Sequence, residues 1–232
     1  MKIIMPVWLK DSDLVDLTEN AIKSLRENDV EIIIIDNGSP IGGGALREWA
    51  DVYVRNPTNL GYAKAVNQGL KLSFGEDFVV IANNDIRVSP NWKEVAEDIM
   101  KDRSICSVHF RMIPYDQPFN PGGETSIGGR ERWCTSSFFV VRPFQVYDEH
   151  YLNSYDDWDY WKAWRTKGFK QAYTNKAEYQ HLDSSTVSRM EKHEITNVEN
   201  REYFKTKWGK YPEDDFAEEF GEQLKTPWKP MP

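Results

Sequence analysis

The sequence predicts an α/β protein with a mostly parallel central sheet flanked by helices and a helical extension at its C-terminus. Three observations predict it. Short apolar runs alternate with amphipathic stretches through the first hundred or so residues. The run Ile32 to Ile35 is continuously β-branched, as in strands covered on both faces. Polar, turn-forming residues collect after the strands, as Pro6-Val7-Trp8, Asp36-Asn37-Gly38-Ser39 and Asn83-Asn84-Asp85. With right-handed crossovers those ends share one sheet edge, where ligands bind.

Each element follows in turn. Lys2 to Trp8 reads as the first strand. Ser12 or Asp13 can cap the next helix, because a side-chain oxygen there accepts from a first-turn amide. Leu14, Leu17, Ala21, Ile22 and Leu25 keep helical spacing, and Asn28-Asp29 stops them. Glu31 to Ile35 is the second strand and Asp36 to Pro40 a turn. Ala45 to Ala50 is a short helix, Val52 to Arg55 a strand, and Gly61 to Leu72 a helix with Ala63, Val66 and Leu70 on one face. Phe78 to Ala82 is the fourth strand and Trp92 to Met100 the fourth helix.

The second half is less regular. Ser104 to Arg111 is a strand, and Pro114 to Arg130, with its three prolines and four glycines, a long loop. Trp133 to Val141 is a strand, Asp156 to Lys167 a helix ended by Gly168, and Lys170 to Thr174 a short strand. Glu194 to Lys207 reads as helical. The tail from Tyr211 is acidic, then proline-rich, and reads as an extension wrapped on the domain or as partly disordered chain.

The 232 residues suit one domain with an appendage. Lys plus Arg is 29 and Asp plus Glu is 37, a balance of 29 − 37 = −8. That argues against nucleic acid as a partner, since neutralising phosphates takes a basic face. Two cysteines, Cys106 and Cys134, are too few for a disulfide framework. No stretch nears the roughly 20 apolar residues of a membrane span, and the stretch before Pro6 is too short for a signal peptide. The expectation is a cytoplasmic protein, with membrane contact through a partner left open.

Several polar groups could carry chemistry. Asn83-Asn84-Asp85 breaks a buried strand and could present a carboxylate to a divalent cation, or simply close the strand as an Asx-turn. Asp36 could accept from a base N–H or ribose hydroxyls, or serve its own turn. Ser154 with Asp157 fits a capping box, so Asp156-Asp157 could be structural or hold a general base. His181, beside Ser184, Ser185 and Thr186, could ligate a metal or contact phosphate, although a lone histidine is more often structural. Trp158, Trp161 and Trp164 drift around their helix, so at least one could line a cleft and stack on a sugar. The glycines at 42–44 do not form a dinucleotide fingerprint, which would follow the first strand.

Taken together, these residues resemble the family 2 glycosyltransferases of the Rossmann-like GT-A fold, especially the rhamnosyltransferase-like branch, from about residue 2 to about residue 190. Ile33-Ile34-Ile35-Asp36-Asn37-Gly38-Ser39 matches the family's second strand. Asn56 to Gly69 matches its N-x-G-[FY]-A…N-x-G block. Asn83-Asn84-Asp85 takes the place of its D-x-D, with Asn in first position. Tyr147-Asp148-Glu149-His150-Tyr151 and Tyr155-Asp156-Asp157-Trp158-Asp159 resemble its F-D-E…E-D-x-D, with Asp156 where the family has Glu.

The resemblance implies an inverting, metal-dependent transfer of a sugar from a nucleotide-diphosphate sugar to a hydroxyl of a glycan or glycoconjugate. It implies Asp157, with Asp156, as the catalytic carboxylates. It assigns Pro6, Val7, Trp8, Asp36, Asn59, Gly61, Lys64, Asn67, Asn83 and Asn84 to the nucleotide. It gives Asp85 and His181 to a manganese or magnesium ion, and Trp133 and Trp158 to the acceptor. The implied organisation is a transferase domain at 1–190, divided into a nucleotide-binding half (1–103) and an acceptor half (104–190), with an extension at 191–232. Two alternatives stand beside it. One is a sugar-phosphate nucleotidylyltransferase, against which Pro6 to Lys10 speaks, since a Gly-rich, Arg-containing loop belongs there. The other is a non-catalytic nucleotide-sugar or glycan-binding protein on a decayed GT-A fold, which Asn83 and Asp156 allow.

Overall fold

The computed structural model describes residues 1–128, 136–182 and 193–220. The first half alternates strand and helix: β1 (Lys2–Val7), α1 (Ser12–Leu25), β2 (Glu31–Asp36), α2 (Gly43–Trp49), β3 (Val52–Arg55), α3 (Tyr62–Leu72) and β4 (Val79–Ala82). Then come β5 (Ile86–Val88), α4 (Trp92–Ile99), β6 (Ile105–Ile113), β7 (Thr125–Ile127), β8 (Phe138–Val141), α5 (Asp156–Thr166) and β9 (Lys170–His181). Two further helices follow among the described residues, α6 (His193–Trp208) and α7 (Pro212–Phe220).

The strands form one sheet in the order β3-β2-β1-β4-β8-β6-β9-β5, with β7 also on β9. β3, β2, β1 and β4 run parallel, as the strand–helix alternation requires. β8 runs antiparallel between β4 and β6, and β9 returns parallel to β6. Alternate strand residues feed opposite layers. Ile3 and Met5 pack with Leu14 and Ile22 of α1 and Trp92 of α4. Ile4 faces the other way, onto Ala63, Val66 and Leu70 of α3 and Trp161 and Trp164 of α5. A Cβ on Gly69 would lie 2.3 Å from Ile4 Cγ2, so α3 can approach β1 only with glycine there.

Some expectations change. The cap of α1 is Asp11, whose extended backbone lets its carboxylate accept from Leu14 N at 3.1 Å. Ser12 and Asp13 are already helical. β5 and β7 are additional three-residue strands, too short to carry a period. β9 continues past Thr174 to His181. Its register jumps from Phe110↔Thr174 to Arg111↔Glu178, and the bulged Asn175-Lys176 stretch reads locally as a strand end.

The tail forms α7, with Pro212 at its first position, where the missing N–H carries no penalty. Asp159 of α5, almost fully buried, accepts from Trp208 Nε1 at 2.7 Å and pairs with Lys207 at 2.8 Å. Lys207 also reaches Asp148 at 2.7 Å. These bonds hold α6 against α5 beside the aromatic cluster of Tyr151, Tyr155 and Phe204. Among the described residues no helix is long and apolar enough to cross a membrane.

Candidate active site

The C-terminal edge of β4 turns through Asn83 and Asn84 to Asp85. β5 pairs with β9 in the register Ile86↔His181, which brings the end of β9 beside this turn. His181 Nε2 lies 3.1 Å from Asp85 Oδ1 and 3.5 Å from Asn83 Nδ2, and both side chains of the Asp85–His181 pair are buried. The strand ends thus join two residues far apart in the chain. Asn84 does not share this geometry. It is buried, and its Nδ2 donates to Thr18 Oγ1 of α1 at 2.8 Å.

Asp36 ends β2 fully buried. Its Oδ1 accepts from Ser39 N at 2.8 Å and its Oδ2 from Tyr53 O–H at 2.6 Å, and Arg55 pairs with Oδ2. The Arg55 guanidinium also donates to Ser39 O at 2.9 Å. Asp36 therefore organises the turn that follows it. Asn37 accepts from Leu60 N at 3.0 Å and donates to Asn59 Oδ1 at 2.8 Å, tying the Asn59–Gly61 turn to the same edge. Asn59 Oδ1 accepts from Gly61 N at 3.0 Å. Gly61 has φ +89° and ψ 164°, a region essentially restricted to glycine, and a Cβ there would meet Leu152 Cδ1 at 2.6 Å.

Pro6 and Trp8 are half-buried, Val7 is buried, and Lys64, in the first turn of α3, is exposed. Asn67 has another occupation. Its Nδ2 donates to Tyr147 O at 2.9 Å and Glu149 Oε1 at 3.0 Å, and its Oδ1 accepts from Tyr147 N at 2.8 Å. That two-point clasp ties α3 to the approach to α5.

α5 begins with Asp156 and Asp157. Its cap residue is Tyr155, in left-handed backbone (φ 58°) with no side-chain cap bond, so the Ser154–Asp157 capping box does not form. Instead Asp156 Oδ1 accepts from Asp157 N at 3.1 Å, and Asp157 Oδ1 from Trp158 N at 2.8 Å. Ser154 Oγ accepts from Asn200 Nδ2 of α6 at 2.9 Å. Burial, reinforced by the neighbouring Asp157 charge, pushes the Asp156 carboxyl up to about 7. Burial raises Asp157 as well.

Tyr62 connects the two sets of carboxylates. Its hydroxyl donates to Ser136 O at 3.0 Å. Burial raises it far above the usual phenol range, and the charges of Asp156, Asp157 and Asp85 add to the effect. The charges of Asp85, Asp156 and Asp157 thus all bear on the Tyr62 hydroxyl. Of the expected acceptor residues, Trp158 is half-buried and packs on Tyr155 and on Phe216 of α7, with ring centroids 6.0 and 5.5 Å apart. Trp133 lies outside the described residues.

The donor set fits a divalent cation shared with a ligand. Among the described residues no group of three or more His, Cys, Asp or Glu side chains converges as a metal site. Asp85 and His181 supply one oxygen and one nitrogen, and their 3.1 Å spacing is that of adjacent ligands around an ion with bonds of about 2.1 Å. Small divalent ions commonly take one or two protein ligands and complete their shell with phosphate and water.

Sequence reasoning missed Tyr53, Arg55, Tyr62 and Ser137. Tyr53 and Arg55 alternate on β3 in the pattern that points both at Asp36, and that alternation was the available signal. Tyr62 stands at the aromatic position of the N-x-G-[FY]-A block, which was its signal, whereas Ser137 carries no local signal, because its partners lie across the sheet.

Comparison with known proteins now bears on this arrangement. The family model described as "Glycosyl transferase family 2" matches residues 2–198. No curated protein matches the sequence significantly. Among solved structures, S. aureus TarS superposes with TM-score 0.59 at 14% identity, over 79% of this chain and 36% of that one. GalNAc-T7 with UDP, GalNAc and Mn2+ superposes with TM-score 0.59 at 16% identity, over 78% of this chain and 43% of that one. S. aureus TarS 1-349 in complex with UDP-GlcNAc gives 0.60 at 13% identity, over 82% and 61% respectively. The likeness is one of fold, and this chain spans only 36% and 43% of the first two.

Proposed function

The chain belongs to glycosyl transferase family 2, and on that premise we propose that it transfers a sugar from a nucleotide-diphosphate sugar to a hydroxyl of a glycan or glycoconjugate, with inversion. The observations that carry this reading are the buried Asp85–His181 pair, 3.1 Å apart, and the Asp156–Asp157 pair, raised by burial, that opens α5.

In this reading Asp157 accepts the acceptor's proton as its oxygen attacks C1. A positioned base of this kind contributes about 10²–10⁴-fold. Asp156 holds the Asp157 amide and fixes the first turn. Attack by the acceptor itself, with no enzyme nucleophile, inverts the anomeric centre. Pro6-Val7-Trp8, Asp36, the Asn59–Gly61 turn, Lys64 and Asn83 border the nucleotide. Asn67 and Asn84, assigned to the nucleotide by the family resemblance, also bond to Tyr147 and Thr18 within the protein. Asp85 and His181 would hold manganese or magnesium. Such an ion, when bound, offsets charge on the leaving diphosphate.

The asparagine at position 83 supports placement in the rhamnosyltransferase-like branch. The proposed transferase domain is 1–190, with 191–232 as its extension. The UDP in the GalNAc-T7 structure and the UDP-GlcNAc in a TarS structure make uridine nucleotides the first donors to try.

A thermal-shift panel of nucleoside diphosphates and nucleotide sugars, with and without manganese, tests the proposal, because a ligand that binds the folded state raises its stability. A manganese-dependent rise with one nucleotide, followed by slow donor hydrolysis, is expected. Binding without hydrolysis or transfer would favour the non-catalytic reading, and no response across the panel would overturn nucleotide binding.

A further inference from the structure

Ser137 stands between the two arms of the proposed metal site. It is buried, immediately before β8. Its carbonyl accepts from Asn83 N at 2.7 Å. Its Oγ lies 3.2 Å from His181 Nδ1. The other ring nitrogen, Nε2, is the one 3.1 Å from Asp85 Oδ1. The preceding carbonyl, of Ser136, is held by the Tyr62 hydroxyl at 3.0 Å. One serine is therefore tied at once to the turn after β4 and to the last residue of β9, with its own backbone pinned on both sides.

We propose that Ser137 is a positioning residue that fixes the His181 ring and supports both of its neutral tautomers without a change of ring orientation. A hydroxyl can donate and accept, and it rotates to suit. With the proton on Nε2, the ring donates to Asp85 and Ser137 donates to Nδ1. With the proton on Nδ1, the ring donates to Ser137 Oγ and presents the Nε2 lone pair toward Asp85. The second state is the one a metal-binding imidazole needs, and its stability is set by the partner of the other nitrogen. Alanine can serve neither state. A carbonyl or carboxylate could serve only the second. The proposal rests on Asp85 and His181 being the metal ligands.

The test is a Mn2+ titration read by electron paramagnetic resonance on the full chain, comparing wild type, Ser137→Ala, Ser137→Thr and Asp85→Ala. Thermal melts verify the fold of each. Loss of an outer-shell partner typically weakens metal binding about 10–100-fold, and Ser137→Ala is expected to do so. Ser137→Thr, which keeps the hydroxyl, is expected to restore binding. In the metal-free protein, ¹⁵N shifts of His181 are expected to show an altered tautomer balance in Ser137→Ala, which a purely packing role would not produce. If Ser137→Ala does not fold, Ser137→Cys takes its place, with the same weakening expected. Wild-type Mn2+ affinity in the alanine or cysteine variant, with Asp85→Ala losing it, overturns the role of Ser137 alone. Wild-type affinity in Asp85→Ala overturns the ligand assignment and this proposal with it.

Discussion

The backbone amide of Asp157 donates to Oδ1 of Asp156 at 3.1 Å, so two carboxylates are fixed in sequence at the first turn of α5. A helix N-terminus favours negative charge, while burial opposes it. The pair is thus held in place before any ligand arrives. Asp157→Asn should preserve nucleotide binding and reduce transfer by about 10²–10⁴-fold. Calorimetric titration with nucleoside diphosphate and a transfer assay separate the two effects. A wild-type transfer rate would remove Asp157 as the base.

Burial of the same pair makes stability depend on pH. Asp156 holds its proton up to about 7 in the folded chain, against 3.8 for an ordinary aspartate. Between those values the folded state binds more protons than the unfolded one, so stability falls as pH rises through the window. Asp156→Asn should flatten that fall. Urea unfolding at pH 5 and pH 8 measures it, and an unchanged slope in the variant would refute the assignment.

Asp85→Ala should weaken nucleoside diphosphate binding in the presence of manganese and have little effect in its absence. Titrations with and without the ion read the difference. Equal weakening in both conditions would mean that Asp85 acts on the fold, not on a cation.

Gly61→Ala places a side chain in a backbone region that essentially only glycine enters, against Leu152. Residues held in sparsely populated backbone regions cost about 1–3 kcal/mol, and chemical denaturation should show a loss of that order. The turn carries the Asn59–Gly61 bond as well, so nucleotide affinity should fall alongside stability.

Asp159→Ala removes the acceptor for Trp208 Nε1 and the partner of Lys207. Trp208 is half-buried, so losing its acceptor should cost less than the roughly 1–3 kcal/mol of a fully buried unsatisfied donor. Hydrogen exchange should accelerate in α6 and α7 before it does in the sheet. Uniform acceleration across the chain would show that the helices are not held independently at this point.

The first four strands and their helices were legible because their signals are local: a β-branched run, a helical period, a turn. Ile32 to Ile35 needs no partner to be read as a buried strand. The extent of β9 was not legible, because its bulge at Asn175-Lys176 has the composition of a strand end. Within the site, Asp85, Asp156, Asp157 and His181 could be picked out as types in a pattern. The orientation of each amide could not. Asn84 turns to Thr18 and Asn67 to Tyr147 through contacts between distant parts of the chain. The packing of Trp158 on Phe216 was not legible for the same reason, since Phe216 lies in a tail that reads as acidic and then proline-rich.

The sheet's mixed connectivity has a kinetic consequence. Asp36 ends a strand paired with those of neighbouring βα units, and Asp85 lies in the turn between β4 and β5, whereas His181 reaches Asp85 only when β9 has paired with β5 across the far longer separation Ile86↔His181. Pairings of large sequence separation form slowly, because chain closure precedes the contacts that reward it. The Asp85–His181 pair therefore cannot precede that late closure during folding. Refolding followed by manganese capture should lag refolding followed by far-ultraviolet circular dichroism, which makes metal uptake a clock for the last strand to arrive.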